Sequence, residues 1–306
     1  MAAQCLRSFL FKPCFAPVHP SAGELLGNQA AAGVHGGPVH NSPHHSIGAS
    51  IVLAGVLVCR LWVPPDVQSA ERWPDERSVG PFVCHADFPL AAHANLLGEM
   101  ARLQEDLART LSVQAPREQI NLYLFEKKGT YQRYIKSYFP NVPFRRALYI
   151  KQRGPGMVFA FQSNDFETDV RHEGTHALLH AAMPMVPLWL DEGLAEYFEV
   201  PGERRAFGHP HLSKIRWATR FGQVPKIERL DRIQSLARMG PSEYRNSWAW
   251  VHFMLHGSEQ AHKELTRYLK DIQAHVPPGS LAERLRRRLP SLERQFAEHF
   301  RSWKKP

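Results

Sequence analysis

Residues 171–180 read RHEGTHALLH, and no other stretch restricts this chain as strongly. His172 and His176 lie four apart, with Glu173 beside the first. On an α-helix that spacing puts both imidazoles on one side, one turn apart, where they can converge on a single tetrahedral ion. This is the H-E-x-x-H pattern of a helix that binds zinc through two histidines. Glu173 is rotated by roughly 100° from His172. It therefore stays off the ion but close enough to take a proton from a water there. In a chain with 17 histidines the pattern also arises by chance, so its surroundings have to decide its meaning.

Asn164 and Glu167 have the spacing of a capping box, which predicts a helix starting near residue 164. Val170, Ala177, Leu178 and Ala181 give it an apolar side to bury. Gly174 costs up to about 1 kcal/mol in a helix interior, tolerable where a substrate must come close. A catalytic zinc takes three protein ligands and keeps a position open. His180 is the nearest third histidine, but three histidines spaced by four spread over about 12 Å. That is too far for one ion with bonds near about 2.0–2.1 Å, so His180 reads as a polar-face residue or a support behind the ligands. The metzincin pattern fails as well, because Leu179 and Ala182 stand where it needs Gly and His.

A better third ligand lies in PLWLDEGLAEYFE, residues 187–199. The first helix has to end near Pro184, and a second one starts with Asp191 or Glu192 in its first turn. An antiparallel return brings Glu192 back to the two histidines, and Glu196, one turn on, is placed to accept the free N–H of His172. Taken alone, Glu192 reads equally well as a charge paired with a helix dipole; joined to the upstream pattern, it reads as a ligand.

RHEGTHALLH followed by WLDEGLAEYFE resembles the gluzincin metallopeptidases, which join H-E-x-x-H to a glutamate on the next helix. It is most similar to uncharacterised bacterial peptidase-MA-like domains. The strong likeness covers about 165–200, and a looser one, including YRNSWAWVHFML at 244–255, covers about 115–256. The resemblance implies an α+β zincin fold with a small mixed sheet, an active-site helix and a helical C-terminal region. It implies Zn2+ bound by His172, His176 and Glu192, with Glu173 as general base toward a zinc-activated water, and hydrolysis of a peptide or protein amide bond. Related enzymes stabilise the oxyanion with a Tyr or His from the downstream helices, which points to Tyr244 first and His252 second. Glu192 follows His176 more closely than in the aminopeptidase branch, and no G-x-M-E-N exopeptidase signature is present.

Around this core, 1–46 is rich in Ala, Gly, Pro and His without periodicity and reads as a disordered extension. The apolar run in 47–63 has the length of a signal-peptide h-region and otherwise suits a membrane anchor; 64–80 reads as a linker. The expected domain is an α+β core over 81–203 followed by a helical subdomain over 204–306. Strands are expected at 82–88, 120–125, 146–151 and 156–161. Helices are expected at 90–112, where leucines recur every three or four residues, and near 128–138. GMVFAF (156–161), just before the motif helix, is a candidate to offer its edge to an extended peptide, and a plain core strand explains it nearly as well. Further helices are expected over 248–255, 260–275 and 290–303.

A 43% hydrophobic content over 306 residues suffices for one good core. The net charge of +9 suits an anionic cell envelope, and no helix-turn-helix, zinc-finger or aromatic RNA-binding signature points to nucleic acid. Cys5, Cys14, Cys59 and Cys84 form no C-x-x-C pair, and only Cys84 lies in the folded part, so no disulfide staples it. The chain reads as a secreted or membrane-anchored zinc hydrolase, with a non-catalytic zincin-fold binding module as the alternative. His209 and His211 in GHPH resemble a metal pair but read by default as a solvated loop.

Overall fold

The computed structural model describes residues 73–152 and 154–305. The extension 1–46 and the apolar run 47–63 lie outside the described residues, and so do the expectations attached to them. Among the described residues no helix is long and apolar enough to cross a membrane.

Five strands form one mixed sheet: β1 (Asp75–Val79), β2 (Phe82–Ala86), β3 (Ile120–Phe125), β4 (Ala147–Ile150) and β5 (Gly156–Phe161), in the order β1-β2-β3-β5-β4. β1 and β2 form an antiparallel hairpin. It turns at Gly80, whose φ of +56° favours glycine and whose missing Cβ would meet the Ala101 carbonyl at 2.9 Å. β2, β3 and β5 run parallel, and β4 returns antiparallel on β5. Parallel neighbours need a crossover, and α1 (Ala94–Leu111) supplies the one between β2 and β3. Its Leu96, Met100, Leu103, Leu107 and Leu111 are all buried, as their spacing predicted.

The alternation of the strands divides the core. Leu122, Leu124, Val158 and Ala160 belong to the main cluster, shared with the helices. Phe125, Phe159 and Phe161 belong to a smaller cluster with Tyr131 and Ile135 of α2 (Lys128–Tyr138). Two expectations are corrected here. Residues 75–79, assigned to the linker, are a strand. DERSV carries no apolar alternation, and it joins the sheet through backbone pairing with β2, with Glu76 bonded to His85 and Val79 packed on the core. GMVFAF offers no edge, because β5 is paired on both sides, by β3 and by β4.

Helices then take over. α3 (Phe166–Ala182) packs across β5 and β4 and against α4 (Leu188–Phe198). Its predicted capping box does not form: Asp165 is the capping residue without a side-chain cap bond, and its carboxylate pairs with Arg146 at 2.6 Å instead. The remaining helices are α5 (His211–Arg220), α6 (Ile227–Asp231), α7 (Pro241–His256), α8 (Glu259–Gln273), α9 (Leu281–Arg288) and α10 (Leu292–Ser302). The arginine block of α9 is neutralised locally, since Arg284, Arg286, Arg287 and Arg288 each lie in ion-pair range of a carboxylate.

Candidate metal centre

Both helices that carry the candidate ligands are interior. Twelve of the seventeen residues of α3 are buried, and so are all eleven of α4. A helix buried all round is normally apolar all round, yet α4 encloses Asp191, Glu192 and Glu196, none more than 2% exposed. Buried carboxylates have to be paired or to coordinate an ion.

Glycine sets how closely these helices meet. A Cβ on Gly193 would lie 2.7 Å from the Ser247 carbonyl oxygen and 2.9 Å from Val251 Cγ2, so α4 and α7 touch nearly backbone to backbone. A Cβ on Gly174 would meet Met100 Cε at 2.5 Å. Gly174 therefore makes room for Met100 of α1.

The predicted ligands converge. His172 Nε2 and His176 Nε2 are 3.2 Å apart, and Glu192 Oε2 lies 3.7 Å and 3.6 Å from them. A tetrahedral ion with bonds of about 2.0–2.2 Å separates its ligand atoms by about 3.3–3.6 Å. Neither oxygen of Glu192 has an aligned hydrogen-bond partner among the described residues. Two imidazoles and a carboxylate form a donor set that suits zinc, and the residues present fit the ion.

The far side of each imidazole is held. His172 Nδ1 donates to Glu199 Oε2 at 2.7 Å, and His176 Nδ1 faces Asp191 Oδ1 at 3.1 Å. With an ion at the common point, protons held on Nδ1 would leave both Nε2 lone pairs to face it. Asp191 Oδ2 also meets His180 Nε2 at 3.0 Å, so His180 supports the centre through Asp191. Glu196 does not fill the role predicted for it. Its carboxylate turns to His209 and His211, and Glu199, two turns beyond Glu192, takes the bond to His172. The i, i+4, i+7 stripe Glu192–Glu196–Glu199 is the sequence signal that could have found it. Arg171 positions this partner by donating from Nε to the Glu199 carbonyl at 2.5 Å, while its guanidinium pairs with Glu99.

The charges reflect these contacts. Burial alone would lower His172, but the Glu192 and Glu199 carboxylates outweigh it and push it up to about 10. Burial raises Glu173 above the usual carboxylate range, against the pull of His172 and His176. Asp191 is held well below that range, since His180 and His176 outweigh its burial. Both oxygens of Glu173 are buried without a hydrogen-bond partner among the described residues.

The two oxyanion candidates fare differently. Tyr244 is buried in the first turn of α7, the helix that packs on α4. His252 is spent on structure: Nε2 donates to the Ala206 carbonyl at 3.0 Å, and Nδ1 meets His299 Nε2 at 3.0 Å. Neither ring nitrogen is left for an oxyanion, which corrects that expectation.

No family model matches the sequence, and no curated protein matches it. Among solved structures, an M1 zinc metallopeptidase from Deinococcus radiodurans is similar at 16% identity and a TM-score of 0.35, over 76% of this chain and 52% of that one. The chain thus spans about half the length of that protein.

Proposed function

We propose that this protein is a zinc-dependent hydrolase of the gluzincin type that cleaves amide bonds in a peptide or protein. The observation that carries the reading is the convergence of His172 Nε2, His176 Nε2 and Glu192 Oε2 at 3.2–3.7 Å, beside a buried Glu173 with no hydrogen-bond partner among the described residues. When bound there, zinc supplies Lewis acidity, activating water and polarising a carbonyl.

The chain's own residues account for the rest. Glu173, raised by burial, holds at its carboxylate the proton taken from the attacking water and passes it to the leaving amine. Glu199 and Asp191 keep the Nδ1 protons of His172 and His176 in place, so the ligating faces need not reorganise during the reaction. Tyr244 is the proposed oxyanion donor, a contribution of the kind worth about 10²–10³ in rate. The apolar run 47–63 is proposed to export the chain or tether it at the cell envelope.

The test is Glu173→Gln in the zinc-loaded protein, assayed on a peptide library. Loss of cleavage by 10³-fold or more with zinc content unchanged supports the hydrolase. A wild type that binds zinc but cleaves nothing would mark a binding module on the same scaffold.

A further inference from the structure

GHPH, read from sequence as a solvated loop, is not one. His209 is 4% exposed, and its ring stacks on the fully buried Trp248 with centroids 4.8 Å apart and an interplanar angle of 21°. Trp248 also meets His211 edge-on at 6.0 Å. Tryptophan thereby orients both imidazoles toward α4. There Glu196 Oε2 lies 3.2 Å from His209 Nε2 and 3.2 Å from His211 Nε2, and Glu199 Oε1 is 3.4 Å from His209 Nε2.

These approaches are as close as those of the first centre, yet the atoms are not aligned as hydrogen bonds. Among the described residues, Glu196 Oε1, His209 Nε2 and both ring nitrogens of His211 are buried without such a partner. Glu196, His209 and His211 each bring one donor atom within 4.8 Å of the other two, a set that can hold a metal ion. The separations match the edge of a tetrahedron with bonds of about 2.0–2.2 Å. Charge points the same way. Glu173, Glu192 and Glu196 are nearly or fully buried, and the ion pairs of Glu196 among the described residues are all with imidazoles. Buried carboxylates at this density call for compensating positive charge.

We propose that Glu196, His209 and His211 form a second divalent-metal site, for zinc or a similar borderline ion, separate from the site of His172, His176 and Glu192. The two sites communicate through Glu199. Its Oε2 accepts from His172 Nδ1 and its Oε1 faces His209, so an ion in the second site braces the residue that orients a ligand of the first. Loading has one local cost. His209 Nδ1 accepts from the His211 backbone N–H at 3.1 Å, and a ring that ligates through Nε2 carries its proton on Nδ1, so this contact opens.

The test is zinc stoichiometry of the full chain, by native mass spectrometry and elemental analysis after loading with Zn2+ and dialysis. Glu192→Ala removes a ligand of the first site only; Glu196→Gln and His211→Ala each remove a ligand of the second only. Differences between variants cancel any ion held elsewhere in this histidine-rich chain. Because the His211 side chain is one-fifth exposed, its truncation leaves the fold intact, and far-UV circular dichroism checks this. The expected result is one zinc fewer than wild type in each single variant and two fewer in Glu192→Ala/His211→Ala. Zinc content unchanged in both His211→Ala and Glu196→Gln, with one ion lost in Glu192→Ala, overturns the second site and leaves the first standing. An ion lost in His211→Ala but none in Glu192→Ala upholds the second site and removes the first.

Discussion

Replacing Gly193 by alanine pits two effects of opposite sign against each other. Helix propensity favours alanine by up to about 1 kcal/mol, so an isolated α4 would gain from the change. In the folded protein the added Cβ meets the Ser247 carbonyl oxygen at 2.7 Å, its carbon at 2.8 Å and Val251 Cγ2 at 2.9 Å. Carbon contacts relax to about 3.5–4.0 Å, so α4 and α7 have to separate by roughly 0.8 Å or more. The obstacle is largely backbone, which puts the cost at the upper end of the ~1–3 kcal/mol typical of overpacking. The net loss is about 2 kcal/mol after the propensity gain. For a domain of this size that corresponds to a fall in Tm of about 4–8 °C. Glu192 is the preceding residue, so the same displacement moves a ligand by more than the ~0.2 Å that a metal site tolerates, and zinc binding should weaken as well. Differential scanning fluorimetry of the metal-free and zinc-loaded forms reads both effects. Gly174→Ala is the control: its Cβ meets only the mobile end of Met100 within 3 Å, and its Tm should stay within about 1–2 °C of wild type. A Tm for Gly193→Ala at or above that of wild type would refute the close helix contact and the reasoning built on it.

Two further outcomes follow from the same geometry. Glu199→Ala removes the acceptor that holds the His172 Nδ1 proton and should weaken zinc binding by about 10–100-fold, measured by competition with a chromophoric chelator; unchanged affinity would mean that Glu199 does not orient the ligand. Acid should destabilise the C-terminal helices, because burial pushes His252 down to about 2 and His256 and His299 to about 4, while an unfolded imidazole titrates near about 6.5. Below that pH the unfolded chain takes up protons that the folded one refuses, so stability is lost as pH falls from about 6.5 toward 4, by up to about 1.4 kcal/mol per pH unit for each imidazole. Urea midpoints at pH 7 and pH 5 check this. His299→Gln, which keeps a donor for His252 Nδ1, should flatten the slope, and equal wild-type midpoints would count against the neutral cluster.

The elements with a strong local period were legible in the sequence. β3, α2 and β5 occupy the residues that their patterns assigned, and α1 buries the leucines spaced for it, because period and turn chemistry are properties of adjacent residues. The H-E-x-x-H spacing likewise brought His172 and His176 to one side of one helix, since helix geometry alone sets that relation. Glu192 was placed by its distance from the motif and by resemblance, and the packing of α4 on α3 brings it to the imidazoles.

What the sequence left open depends on contacts between distant segments. β1 carries no apolar alternation and is a strand only because β2 lies beside it. GMVFAF read nearly equally as an edge or as a core strand, and the return of β4 along it decides for the core strand. Glu196 and Glu199, the residue that caps α4, lie on one stripe, and nothing in their spacing says which of them faces His172. That depends on the angle at which α4 crosses α3 and α7, which is set where Gly193 lets the Ser247 backbone approach. The same packing buries His209 of GHPH in a stack on Trp248 and sets His211 edge-on to the same ring. The sequence by itself determined the motif helix and the side of it that His172 and His176 share, because these follow from local geometry; the tertiary structure alone decided which carboxylate faces which imidazole, because buried charges take the partners that interhelical packing brings within about 3 Å.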